Sequence, residues 1–219
     1  MHEPRQAIHI KVCGVRRPED AERILKLGAS YVGLIHHPAS PRFASVEKIR
    51  ELCEVVPREK RVLVTVEPDP DQLRELSSIG FAAFQVHARE LANRIKMLAW
   101  AAAIRPAKLW IAPRLPPDSP FPEHLLDVTD TWLIDTYSAK QTGGTGKTGD
   151  WPTFRKWKES HPEHRFILAG GITPSNILEA AAVSHADWID VSSGVEASPG
   201  IKDPEKLKEL FASIRGLER

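Results

Sequence analysis

Short apolar runs alternate with longer amphipathic segments from one end of this chain to the other. The runs fall at 8–13, 31–35, 62–66, 81–86, 108–112, 131–134, 165–169 and 188–191. They are rich in Val, Ile and Leu, as strands buried on both faces are. The segments between them read as helices. Pro18 opens one with Ala21, Ile24, Leu25 and Leu27 on one side and Gly28 as its stop. Ser45 is placed to cap a second, which runs to about Val56 and ends at Pro57. Further helices are expected near 70–79, over 89–103, around Trp157, from Pro174 to about Val183, and from about Pro204 to Ile214. After the fifth run come Pro113, Pro116, Pro117, Pro120 and Pro122, so the helix there is short or irregular.

Strict alternation of strand and helix implies a parallel sheet. Eight such units in 219 residues, with no linker or low-complexity tract, predict one domain over 1–219: an α/β chain closed as a (β/α)8 barrel. An open doubly wound sheet is the alternative, but it rarely needs eight repeats. In a barrel the chemistry sits on the loops that follow the strands.

Charge and cysteine content narrow the function classes. The net charge is +1, from 30 basic and 29 acidic residues, so no global field favours nucleic acid or an anionic membrane. Any anion site must be local. Hydrophobic residues at 42% and charged residues at 27% describe a folded chain rather than a disordered one. Two cysteines, Cys13 and Cys53, do not make a secreted disulfide framework, and reduced thiols in a cytoplasmic protein are expected. Residues 1–6 are polar and lack the apolar run of a signal peptide, and no stretch approaches the ~20 apolar residues of a membrane helix. The nine histidines form no metal-ligand pattern, and His36 and His37 would face opposite ways on a strand. No metal site is expected.

The strand ends hold the polar groups. Cys13-Gly14 closes the first run, and the thiol is either a packed core residue or a functional group. Pro38 and Pro41 stiffen the next loop around Arg42, which is either a solvated arginine or a clamp for a carboxylate or phosphate. Gln85 and His87 are two apart and share one face, as ligand contacts or as a satisfied network. Asp135 ends an apolar strand, either in a cap or salt bridge or as a general acid or base. The segment 142–148 looks like a nucleotide P-loop, but Gln141 stands where that motif needs glycine. It reads instead as a mobile glycine loop whose amides, at Gly144 and Gly146, approach a phosphate. Gly170-Gly171 just before a helix, together with Asp190, Ser192, Ser193 and Gly194, lie after the seventh and eighth strands, where barrels commonly bind phosphate.

Seven stretches in order along the chain resemble the phosphoribosylanthranilate isomerase family: Lys11-Val12-Cys13-Gly14, Ser40-Pro41-Arg42-Phe43, Gln85-Val86-His87, Leu133-Ile134-Asp135, the segment 143–148, the segment 168–172 and the segment 190–196. The resemblance implies a cofactor-free Amadori rearrangement of N-(5-phosphoribosyl)anthranilate in tryptophan biosynthesis. It assigns Cys13 as general base and Asp135 as general acid. Arg42 would hold the anthranilate carboxylate, and the Gly170-Gly171 pair and the Ser192-Ser193-Gly194 loop the phosphate. A phosphorylated small molecule is then the expected partner, for a monomer or homodimer. A carboxyl surrounded by apolar residues keeps its proton, which suits an acid at Asp135. The chain departs from the family pattern at His36 and His37, at Glu67, at Ala88 and around Lys108-Leu109-Trp110. A phosphosugar-binding barrel without turnover is the competing class. The related histidine-pathway sugar isomerase uses an aspartate where this chain has Cys13.

Overall fold

The computed structural model describes residues 7–105, 108–115, 119–136 and 150–215. Eight parallel strands pair in chain order and close into a barrel. They are β1 (His9–Cys13), β2 (Tyr31–Ile35), β3 (Arg61–Val66), β4 (Ala83–Ala88), β5 (Leu109–Pro113), β6 (Thr131–Asp135), β7 (Arg165–Ala169) and β8 (Trp188–Val191). The helices α1 (Pro18–Leu27), α2 (Val46–Cys53), α3 (Pro70–Ser77), α4 (Arg94–Ile104), α5 (Trp151–Ser160), α6 (Ile177–Ser184) and α7 (Pro204–Arg215) lie in the connections and after the last strand. The proline-rich segment after β5 gives a 3-10 helix over Glu123–Val128, as its composition requires. Ser45 caps α2, its hydroxyl accepting from the Lys48 amide at 3.3 Å.

Several boundaries differ from the sequence reading, α2 ending at Cys53 rather than near Val56 among them, and three have a clear local reason. β4 runs to Ala88 because its ladder with β5 continues to the Ala88–Pro113 pair. α4 begins at Arg94 rather than 89, since the Asn93 side chain accepts from the Lys96 amide and fixes the start there. α6 begins at Ile177 rather than Pro174. The Asn176 amide group folds back to bond Thr173 N–H and the Gly171 carbonyl, so 174–176 form a turn. The sequence reading also passed over a small antiparallel hairpin, β9 (Glu196–Ser198) with β10 (Ile201–Lys202).

The core has two layers. One lies between strands and helices and includes Ile24, Ile49, Trp100, Trp132, Phe154 and Leu210. The other fills the barrel and includes Val62, Val64, Ala83, Trp110, Leu133 and Ile167. Alternation along each strand separates the two. At the amino-terminal ends of β2 and β8, Tyr31 and Trp188 stack at 5.6 Å. His9 stacks on Trp188 at 4.1 Å, Trp110 meets Tyr31 edge-on at 5.1 Å, and the Arg165 guanidinium lies 4.6 Å from the Trp188 ring. Aromatic groups therefore plug this end, and the polar residues of the barrel collect at the other.

Candidate active site

A cavity of about 500 Å³ opens among the carboxyl ends of the strands. Its walls include Cys13, Arg42, Gln85, His87, Asp135, Gly170, Gly171, Asp190, Ser192 and Ser193. Residues more than 170 positions apart thus face one space because parallel strands bring all their carboxyl ends together. Gly194 does not line this cavity. A β-carbon there would lie 1.9 Å from the Ile172 carbonyl oxygen, so the glycine lets the loop after β8 press on the loop after β7. Gly144 and Gly146 lie outside the described residues, as does the whole loop 142–149.

The wall at Gly170-Gly171 and Ser192-Ser193 is where the sequence reading expects an anion. Both glycines adopt left-handed backbone, with φ of 96° and 65°. A 3-10 turn over Ser193–Val195 follows β8. The helix start expected just after Gly171 is six residues further on, at Ile177, because of the Asn176 turn.

Cys13 is buried, and burial pushes its thiol above the ordinary value. The positive charge of Lys11 opposes this, Asp190 adds to it, and Lys202 opposes it again. Burial, then the Lys11 charge, lowers His87 to about 4, so its ring is neutral near pH 7. The Gln85 amide nitrogen donates to its Nε2 at 3.0 Å. Asp135 departs from expectation. It ends β6 exposed, so apolar surroundings do not cover it.

Arg42 is engaged in a way the sequence did not suggest. Its Nε and Nη2 donate to the Glu196 carboxylate at 2.9, 3.1 and 2.6 Å, and Nη1 takes no part. Glu196 also accepts from Lys202 Nζ at 3.0 Å and the Gly200 amide at 3.1 Å. Burial would raise the Glu196 carboxyl, but these partners hold it below the ordinary value. Lys202, fully buried, further donates to the Cys13 and Ser192 carbonyls at 2.6 and 3.2 Å. The sequence reading missed Lys202 and the pairing role of Glu196; Arg42 lies 154 positions from Glu196, and Cys13 189 positions from Lys202.

A second compartment of about 470 Å³ adjoins the first through Ile35, Val64, His87 and Asp135. It adds His37, Ser40, Arg89 and Arg114. Two departures from the family pattern prove structural. Glu67 bonds Lys96 at 2.5 Å and the Arg89 amide at 2.6 Å, and His36 bonds the Ala44 carbonyl at 3.0 Å.

The family model for N-(5'-phosphoribosyl)anthranilate isomerase matches residues 10–213. The chain belongs to the phosphoribosylanthranilate isomerase family. A relative bearing that name from Synechococcus sp. is 36% identical over 214 residues, which cover 94% of this chain and 96% of the relative. Among solved structures, the family's Thermotoga maritima isomerase has a TM-score of 0.77 at 30% identity, covering 95% of this chain and 99% of that one. Another family structure, in complex with reduced 1-(o-carboxyphenylamino)-1-deoxyribulose 5-phosphate, matches with a TM-score of 0.77 and 27% identity over 95% of this chain and 99% of that one.

Proposed function

We propose that Cys13 and Asp135 are the base and acid with which this enzyme isomerises N-(5-phosphoribosyl)anthranilate to 1-(o-carboxyphenylamino)-1-deoxyribulose 5-phosphate. The observation that carries the assignment is that both line one cavity with the paired-glycine and serine loops. Asp135 protonates the furanose ring oxygen, and the C1–O bond opens to an iminium. The cationic nitrogen acidifies the proton at C2, which the Cys13 thiolate removes. The C–H electrons become the C1–C2 double bond of an enolamine, and tautomerisation gives the ketone. The substrate itself covers the exposed Asp135 and supplies the desolvation that the strand end lacks.

The phosphate is held by the backbone of Gly170 and Gly171 and by Ser192 and Ser193. Arg42 takes the anthranilate carboxylate through the Nη1 edge that Glu196 leaves unused. Gln85 and His87 form the wall between these poles, and Gly144 and Gly146 belong to the loop over the phosphate. The reading places one barrel domain in the cytoplasm as a monomer or homodimer. Two free cysteines support that compartment, and among the described residues no helix is long and apolar enough to cross a membrane.

Purified protein mixed with phosphoribosylanthranilate should consume the anthranilate-type fluorescence, and Cys13→Ala with Asp135→Ala should abolish that consumption. A double variant as fast as the wild type would overturn the assignment.

A further inference from the structure

Lys11 has no part in the reading above, yet its partner Asp190 lines the same cavity. It is 1% exposed. An ammonium so deep is costly unless it is paired. The register of β1 on β8 sets Lys11 beside Asp190, and Nζ donates to Oδ1 at 2.8 Å. A purely structural ion pair would account for this much.

The place where the ammonium sits points further. β1 pairs with β2 so that Cys13 stands beside Gly33. A β-carbon on Gly33 would lie 2.8 Å from the Cys13 Sγ and 3.0 Å from the Lys11 Nζ. The thiol and the ammonium are therefore gathered at one spot, which β2 leaves free of any side chain. We propose that Lys11 is a positioning residue for the Cys13 base: anchored by Asp190, its ammonium carries the counter-charge of the thiolate as the substrate C2 proton moves to sulfur. The proposal rests on the reading of Cys13 as base. In the step the S–H bond forms, the C2–H bond breaks, and Lys11 keeps its own protons throughout.

The other charges around the thiol fit this assignment. Burial alone would lower Lys11, yet Asp190 and Cys13 together raise it above the ordinary lysine value, so it stays cationic. His87, on β4, is neutral near pH 7 and adds no rival charge. Lys202 and Arg42 also lie on the Cys13–Glu196 side of the site; they share the Glu196 carboxylate, which offsets one of their two charges, and Lys202 acts on the thiol less than Lys11 does. Lys11 is the first-ranking charge on the thiol, and Asp190 opposes it.

The test is the pH dependence of Cys13 alkylation by iodoacetamide, in a Cys53→Ala background so that one thiol reports. Lys11→Met should move the alkylation midpoint up by about one pH unit or more, whereas Asp190→Asn should move it down. A pair whose charge does not reach the thiol gives no such opposite shifts, and one that reaches it without serving the reaction leaves kcat unchanged. The kcat of Lys11→Met should fall with KM within about threefold of the wild type. An unchanged midpoint in folded Lys11→Met overturns the proposal. If that variant does not fold, Lys11→Met with Asp190→Asn removes the unpaired charge. Its midpoint should lie above that of Asp190→Asn alone, and equality overturns the proposal. Full turnover by Cys13→Ala would instead sink the underlying reading, whatever the alkylation shows.

Discussion

At the residue scale, the proposed roles divide groups that act on protons from groups that hold position. Cys13→Ala and Asp135→Ala should each lower kcat by about 10²–10⁴-fold, checked by the fluorescence assay under saturating substrate. His87 makes a different prediction. Its folded value of about 4 lies below the ordinary 6.5. Between these values the unfolded chain takes up a proton that the folded chain refuses. Stability is therefore full above about pH 6.5 and falls as the pH drops toward 4, by up to ~3 kcal/mol. Urea unfolding at pH 7 and pH 4.5 should show a smaller difference in His87→Gln than in the wild type. Identical differences would remove His87 from the account. Cys13, Gln85, His87 and Asp135 were legible in the sequence because each closes or nears the end of an apolar run. Lys11 was not. It stands mid-strand, two residues before Cys13 and on the same face, but its partner lies 179 positions away and leaves no mark in the local sequence.

At the element scale, the β9–β10 hairpin acts as a clasp beneath the site. It presents Glu196 and Lys202, and these tie the loop holding Arg42 to the ends of β1 and β8. Lys202→Met leaves Glu196 buried with one cation fewer and should destabilise the fold by about 3 kcal/mol. Denaturant titration checks this, and an unchanged midpoint would mean that Arg42 and the Gly200 amide suffice for Glu196. Two- and three-residue strands carry no periodicity, so this hairpin was invisible to pattern reading. The strands and most helices were visible, because burial on both faces and a single apolar stripe leave different spacings. The start of α6 was misread for a physical reason. Pro174 suits a first helical turn, but Asn176 offers the backbone a competing turn.

At the scale of the whole molecule, stability and chemistry occupy opposite ends of the barrel. Trp110 is 2% exposed and sits in the aromatic plug, away from the cavity walls. Trp110→Ala should cost about 3–5 kcal/mol of stability while leaving KM near the wild-type value. A KM that rises many-fold would show that the two ends are coupled. The closed barrel followed from counting eight alternating units, since that many parallel strands have few other arrangements.

The aromatic plug has a kinetic consequence. A barrel stopped at one end offers a single doorway, so substrate enters and product leaves by the same mouth. The two cannot occupy the floor together. Added product should then slow the enzyme in a strictly competitive pattern, raising the apparent KM without lowering the limiting rate.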